Sequence, residues 1–173
     1  MTKYAFIGSV VFCAMAVGVY AVQQANVASW KGKKLPAFTM KTVDGKTVNN
    51  ATYKGKVLVL DFWATWCAPC RKASPTFQAI HSKYASKGVS VLGADVLEEK
   101  PSADHGKKYA AEHKYTYTFT TGGDSLHKTL GATGVPVFVF VDKKGVVREI
   151  ATAFDAAKDP ARFEAIVAKL AAE

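Results

Sequence analysis

Residues 57–70 read VLVLDFWATWCAPC, and this stretch decides the fold. Its first seven residues are apolar apart from Asp61, which is typical of a central strand buried on both faces. Cys67 and Cys70 follow at the point where the strand should end and a helix should begin. The N-terminus of a helix stabilises a thiolate, because the helix dipole is positive there. The pattern predicts thiol–disulfide exchange, with a structural disulfide or half of a zinc site as the alternatives.

The helix that follows is expected from Cys67 to Lys87, with one apolar stripe, a kink at Pro75 and an end at Gly88. Asp44-Gly45 indicates a β-hairpin ahead of the central strand. The other expected elements are strands at 89–96, 137–141 and 146–150, helices at 104–113 and 124–130, an extended segment at 115–120, and a last helix with Asp159 as N-cap and Pro160 at N1. This order predicts an α/β fold with a mixed sheet between helices.

The composition suits one packed domain of ordinary size, since 49% of the 173 residues are hydrophobic. The net charge is +9, from 23 Lys and Arg against 14 Asp and Glu. These lysines are scattered, without a dense basic stretch interleaved with aromatics. The charge therefore indicates a solvated basic surface, and we expect a monomer with no nucleic-acid partner.

The N-terminus contains an uncharged, mostly apolar run at residues 4–22. Its length fits either a retained membrane anchor or a signal peptide cleaved after Ala21, and a soluble helix is the third alternative. Cys13 within this run is expected to serve only as a small apolar side chain. Lipidation of a cysteine needs a small residue directly before it, and Phe12 stands there. We expect residues 1–22 to be the membrane segment, 23–34 a tether and 35–173 the domain, which would lie outside the cytoplasm.

The chain resembles the TlpA/ResA-like thiol–disulfide oxidoreductases of the thioredoxin superfamily over about residues 35–171. The resemblance rests on four features of the sequence: the active-site block from Asp61 to Lys72, Pro75 after the second cysteine, Gly134-Val135-Pro136 ahead of a strand, and the opening Leu35-Pro36-Ala37-Phe38 with Asp44-Gly45-Lys46. It implies a thioredoxin fold with an added N-terminal β-hairpin.

The expected roles follow the chemistry of exchange. Cys67 is the exposed attacking thiolate and Cys70 resolves the mixed disulfide. Asp61, if buried, would have a raised pKa and take the proton from Cys70; a solvated strand-end aspartate is the alternative.

The residues around the cysteines are expected to shape substrate binding. Trp66 should guide substrate approach, whereas Trp63 belongs to the core. Ala68 and Pro69 form the active-site loop between the thiols. Pro136 is expected to be cis beside the disulfide, and Val135 to pair its backbone with an extended substrate.

One residue departs from the family pattern. Many relatives carry a glutamate three residues after the second cysteine, and this chain has Ala73 there. A narrow role in cytochrome c maturation, such as apocytochrome c reduction, or in maturation of another metalloprotein, therefore stays open, whereas the general exchange chemistry does not depend on this position.

Metal binding is an alternative that uses the same cysteines. Cys67 and Cys70 could ligate copper or zinc together with the scattered histidines His81, His105, His113 and His127. We expect no metal and no cofactor beyond the redox-active cysteine pair. Covalent haem attachment is excluded at this motif, because Arg71 follows Cys70 where histidine would be needed, and a peroxidase needs a different cysteine setting.

The sequence therefore predicts an extracytoplasmic enzyme that exchanges disulfides of exported proteins, as a reductase. Its electrons would come from a membrane donor of the DsbD kind, as in relatives. A disulfide-forming oxidase and a metallochaperone or binding module are the alternatives. A Cys67→Ser variant distinguishes an enzyme from a binding module, because it would lose disulfide exchange but keep pure binding. The substrate, the reduction potential and the choice between anchor and cleaved signal stay open.

Overall fold

A computed structural model of the chain describes residues 27–173 and contains one seven-stranded mixed sheet. In chain order the strands are β1 (Thr39–Thr42), β2 (Thr47–Asn49), β3 (Val57–Trp63), β4 (Val89–Asp95), β5 (Thr118–Thr121), β6 (Val137–Val141) and β7 (Val147–Ala151). They lie in the order β2-β1-β5-β4-β3-β6-β7. β3 and β5 pair parallel to β4, whereas β6 pairs antiparallel to both β3 and β7. The predicted mixed sheet is therefore confirmed.

Four α-helices accompany the sheet in the described part of the chain. They are α1 (Ala68–Tyr84), α2 (Ala103–His113), α3 (Asp124–Thr129) and α4 (Asp159–Ala172), with short 3-10 turns at Asn50–Tyr53 and Ala85–Lys87. The predicted apolar stripe of α1, made of Ala73, Phe77, Ile80 and Tyr84, is buried throughout. Gly88 ends this segment in the left-handed conformation that glycine favours.

The start of α4 differs from the prediction by one residue. Lys158 is the N-cap, and Asp159 lies inside the first turn. The Asp159 carboxylate accepts hydrogen bonds from Asp155 N at 2.7 Å and Arg162 Nε at 2.8 Å. It therefore fixes the preceding loop to the helix instead of capping the helix end.

β3 lies at the centre of the fold, and all seven of its residues are buried. Its side chains alternate between two cores. Val57, Val59 and Trp63 join the core that contains α1 and α4, whereas Leu58, Leu60 and Phe62 join the core on the other face. Because Asp61 has the parity of the first set, its side chain points towards the α1 face.

The predicted N-terminal hairpin is present as β1 and β2, which pair antiparallel with Met40 opposite Val48. β1 also pairs antiparallel with β5, so the hairpin extends the main sheet at one edge. This contact joins residues some 80 positions apart, such as Lys41 and Thr121, and the hairpin sequence itself carries no signal for it. The hairpin thus lies on the side of the sheet away from β6 and β7.

The first described residues pack against the domain. Val27 is fully buried in the second core, and Gly32 N donates to Val147 O at 2.8 Å. Lys34 forms a β-bridge with Val146, so the end of the expected 23–34 tether lies along β7. The apolar run at residues 4–22 lies outside the described residues. Between residues 27 and 173, the helices are too short or too polar to cross a bilayer.

Candidate active site

The two cysteines of the central motif form a disulfide at the start of α1. Cys67 is the N-cap residue, and its sulfur accepts a hydrogen bond from Cys70 N at 3.2 Å. The two Cα atoms are 5.3 Å apart. Cys67, expected to be exposed, is only 2% exposed, because its sulfur is turned into the helix start and bonded to Cys70. Cys70 is fully buried, which fits the resolving role expected for it.

The loop before the disulfide is held by contacts on both sides. Trp66 is 58% exposed, yet its indole Nε1 donates to Leu97 O at 3.1 Å. Arg71, in the first turn of α1, donates from its guanidinium to Thr65 O. Ala68 and Pro69, the expected active-site loop, are the first exposed helical residues. The loop therefore presents a fixed aromatic surface beside the cysteine pair.

Asp61 is the buried carboxyl group on the α1 face of β3. It is 1% exposed, and neither carboxylate oxygen has a hydrogen-bond partner among the described residues. Burial raises the pKa of Asp61 to about 8. The alternative of a solvated strand-end aspartate is therefore wrong. A carboxyl group with this pKa can both hold and release a proton near neutral pH.

Polar side chains of α1 and α2 lie near this carboxyl group. The buried Ser74 Oγ donates to Cys70 O at 3.2 Å and accepts from Tyr109 Oη at 3.1 Å. The negative charge of Asp61 contributes to the raised pKa of both Tyr109 and Tyr117, after desolvation by burial. These three residues could not be identified from the sequence, because an isolated serine and two isolated tyrosines carry no motif.

The peptide bond between Val135 and Pro136 is cis, as expected. These residues line an open groove of about 300 Å³ together with Pro69 and Gly134. The other wall is Thr152–Phe154, the segment after β7. The sequence analysis missed this wall, since its position beside Pro69 depends on how β7 pairs with β6. The groove joins the first turn of α1 to the proline loop and has the size of a short extended peptide.

The comparisons with known proteins agree with this architecture. The Redoxin family model matches residues 30–167. The chain belongs to the Redoxin family. It is 33% identical over 122 residues to the thiol-disulfide oxidoreductase ResA of Bacillus thuringiensis subsp. konkukian (strain 97-27), covering 69% of this chain and 68% of the relative. It is 36% identical over 121 residues to the thiol:disulfide interchange protein DsbE of Pseudomonas fluorescens biotype C, covering 68% and 64%.

Solved structures show the same fold for this Redoxin-family chain. A thiol:disulfide interchange protein of the thioredoxin family from Chlorobium tepidum TLS has a TM-score of 0.70 and 28% identity, covering 82% of this chain and 97% of that one. The expected resemblance to TlpA/ResA-like proteins is thereby confirmed. The chain is a thiol–disulfide oxidoreductase of the ResA and DsbE type, with Cys67 and Cys70 as its disulfide.

Ala73 occupies the position of the glutamate found in many relatives. Its side chain is fully buried in the core that packs α1 against the sheet. A carboxyl group at this site would have to displace apolar neighbours or remain unpaired. In this Redoxin-family chain, Asp61 is the buried carboxyl group on the face of β3 that packs against α1.

The histidines weighed as partners of the cysteines are spread over three helices: His81 on α1, His105 and His113 on α2, and His127 on α3. Among residues 27–173, one group of three metal-ligating side chains was found, Asp95, Glu98 and His105. It contains neither cysteine.

Proposed function

We propose that this oxidoreductase works outside the cytoplasm as a reductase of disulfides in exported proteins. The observation that carries the proposal is Asp61, a buried and unpartnered carboxyl group on the sheet face that packs against α1. A carboxyl group placed there serves the proton transfer that resolution by Cys70 requires. The relatives named ResA and DsbE support the general chemistry.

The proposed reaction begins from the dithiol form. The Cys67 thiolate attacks one sulfur of the substrate disulfide, forms a mixed disulfide and releases the other substrate sulfur as a thiolate, which takes up a proton. Asp61 then accepts the proton of the Cys70 thiol, and the Cys70 thiolate attacks Cys67 Sγ. The second substrate thiolate leaves and is protonated. Two electrons pass to the substrate, and the enzyme ends in the disulfide form described above.

The helix start favours the first step. The Cys67 sulfur lies at the N-cap, where Cys70 N already donates a hydrogen bond to it. The same donor and the helix dipole would stabilise the thiolate of the reduced enzyme. Cys67 is therefore the proposed nucleophile. Since the Cys67–Cys70 dithiol itself supplies the two electrons, the proposal needs no further cofactor.

The substrate segment is proposed to lie in the groove between Pro69 and Thr152–Phe154. Val135 is half-exposed in the groove wall and can pair its backbone with an extended chain. Trp66 supplies an exposed apolar surface directly before Cys67. This arrangement recognises backbone and apolar surface, which suits an enzyme that accepts several unfolded proteins.

The location and the electron source rest on the sequence. The uncharged residues 4–22 suit an anchor or an export signal, which would place the domain where protein disulfides persist. A reductase there needs electrons delivered across the membrane, and a dithiol donor of the DsbD kind would supply them. We do not extend the proposal to apocytochrome c, because the fully buried Ala73 replaces the glutamate of many relatives.

The test is reduction of insulin disulfides by the full chain, purified in mild detergent and supplied with dithiothreitol. We expect catalysis above the dithiothreitol background, no catalysis by Cys67→Ser, and a trapped mixed disulfide with Cys70→Ser. Retained binding of an unfolded disulfide substrate by Cys67→Ser, with no catalysis by the parent, would instead establish the binding-module alternative.

A further inference from the structure

A second cluster of chemically active side chains lies beside the exchange site. Asp95 ends β4, Glu98 follows in the loop to α2, and His105 lies in the first turn of α2. One ligand atom from each lies within 4.8 Å of the other two. None of them takes part in the proposed exchange reaction.

Asp95 is the unusual member of this cluster. Its side chain is 3% exposed, and neither carboxylate oxygen accepts a hydrogen bond of ordinary geometry from the described residues. Its one described ion-pair partner is His105, whose Nδ1 lies 3.4 Å from Oδ2. A buried carboxylate that accepts few hydrogen bonds loses its free energy of hydration without compensation. Such groups are therefore normally paired or bound to a cation. Burial and the charge of Glu98 together raise the pKa of Asp95 to about 7. Asp124 adds a further negative charge nearby.

The spacing of His105 and Asp95 suits an ion pair and equally a shared metal ion. His105 Nδ1 lies 3.4 Å from Asp95 Oδ2, and it too has no hydrogen-bond partner among the described residues. Two ligands at about 2.1 Å from a tetrahedral zinc ion lie about 3.4 Å apart. The Glu98 carboxylate is partly exposed on a loop, so a small movement brings it into the same shell.

We propose that Asp95, Glu98 and His105 form a binding site for one Zn²⁺ ion. One imidazole nitrogen and two carboxylate oxygens are ligands that zinc accepts, and the His105 side chain is partly exposed, which gives a route from solvent. The bound cation balances the buried charge of Asp95. This inference stands apart from the exchange reaction, since it involves neither cysteine.

The site is connected to the active-site loop through Glu98. Its two carboxylate oxygens accept hydrogen bonds from Thr65 N and Thr65 Oγ1, two residues before Cys67. Leu97, next to Glu98, accepts from Trp66 Nε1 and donates its own N–H to Asp124 at 2.9 Å. Zinc binding would therefore fix Thr65 and Trp66 against the loop between β4 and α2.

The test is calorimetric titration of the full, untagged chain with ZnCl₂ in mild detergent, with the Cys67–Cys70 disulfide intact. All proteins carry Cys13→Ser, so that no thiol can bind the metal. We expect one Zn²⁺ per chain, with affinity lowered about tenfold or more by Asp95→Asn and by His105→Gln. His113→Gln is the matched control, since it lies on the same helix outside the cluster, and it should bind like the parent.

A second measurement covers the case in which a variant is poorly folded. Co²⁺ added to the oxidised parent should give a visible absorption spectrum that His105→Gln lacks at unchanged circular dichroism. The absence of saturable Zn²⁺ binding by the parent, or equal affinity of His105→Gln and the parent, overturns the proposal. Both readouts use the oxidised protein, so they are independent of whether it reduces disulfides.

Discussion

His127 Nε2 lies 2.9 Å from the carbonyl oxygen of Gly134, two residues before Pro136 in the wall of the groove beside Pro69. His127 is 2% exposed on α3, and its ring packs against Phe62 of the central strand. Burial lowers the pKa of His127, so the neutral ring is favoured and its Nε2–H donates to Gly134. The imidazole thus connects the core to the proline loop.

His127→Phe tests this connection. An aromatic ring, somewhat larger than imidazole, is kept and the donor to Gly134 is lost, so we expect a free energy of unfolding lower by about 1 kcal/mol or more. KM for a protein disulfide should rise several-fold while kcat changes less, because the groove wall loses its support. Insulin-reduction kinetics measure KM and kcat, and urea unfolding measures the change in stability. Substitution of the exposed neighbour, Lys128→Ala, is the control. An equal KM in His127→Phe and the parent would show that the proline loop keeps its position without the hydrogen bond from His127.

Asp61→Asn tests the proton acceptor. The amide keeps the shape of the side chain but cannot take the proton of Cys70, so resolution of the mixed disulfide should slow about tenfold or more near neutral pH. The readout is turnover from about pH 6 to about pH 8, with circular dichroism to verify the fold. Glu112→Gln, which removes an acid from the far end of α2, should behave like the parent. Parent-like rates of Asp61→Asn across this range would show that another group accepts the proton.

The same residue should make stability depend on pH. Asp61 has a pKa of about 8 in the folded protein and an ordinary pKa of 3.8, so between these values the folded chain holds one more proton than the unfolded chain. The parent therefore loses stability as pH rises, by at most about 1.4 kcal/mol per pH unit. Asp61→Asn lacks this loss, and its stability relative to the parent should increase with pH and level off near pH 8. Urea unfolding of the two oxidised proteins measures the difference in their free energies of unfolding at each pH. A difference that stays constant with pH would contradict this prediction.

Phe154 provides a test of the substrate groove. Phe154→Ala removes apolar surface from the wall opposite Val135, so KM for insulin should rise several-fold with a smaller change in kcat. Tyr53→Ala is the matched control, because Tyr53 lines a different concavity beside Leu58, at the other end of β3. An unchanged KM for Phe154→Ala, or an equal rise in both variants, would place substrate binding elsewhere.

The central strand, the helix after it and the cysteine pair could be predicted because their signals are local. A run of apolar residues, two cysteines at a fixed spacing and a buried stripe need only neighbouring residues. The cis bond before Pro136 was expected from the family resemblance alone. The position of Asp61 also followed, since its strand is buried on both faces.

The remaining features depend on contacts between distant segments. The hairpin joins the sheet through Lys41 and Thr121, and the groove wall at Thr152–Phe154 is fixed by the pairing of β7 with β6. His127 reaches Gly134 only after α3 has packed on the core. Asp159 bonds to the preceding loop, so a residue with the pattern of an N-cap occupies the first helical turn instead.

The most direct test of the proposed reductase is the reduction potential of the Cys67–Cys70 pair in the full chain, equilibrated with dithiothreitol or glutathione buffers. A potential near that of thioredoxin, about −270 mV, is the predicted result and describes a dithiol that gives electrons to protein disulfides. A potential near about −120 mV, that of a strong dithiol oxidant, would contradict the account and establish a disulfide-forming oxidase in its place.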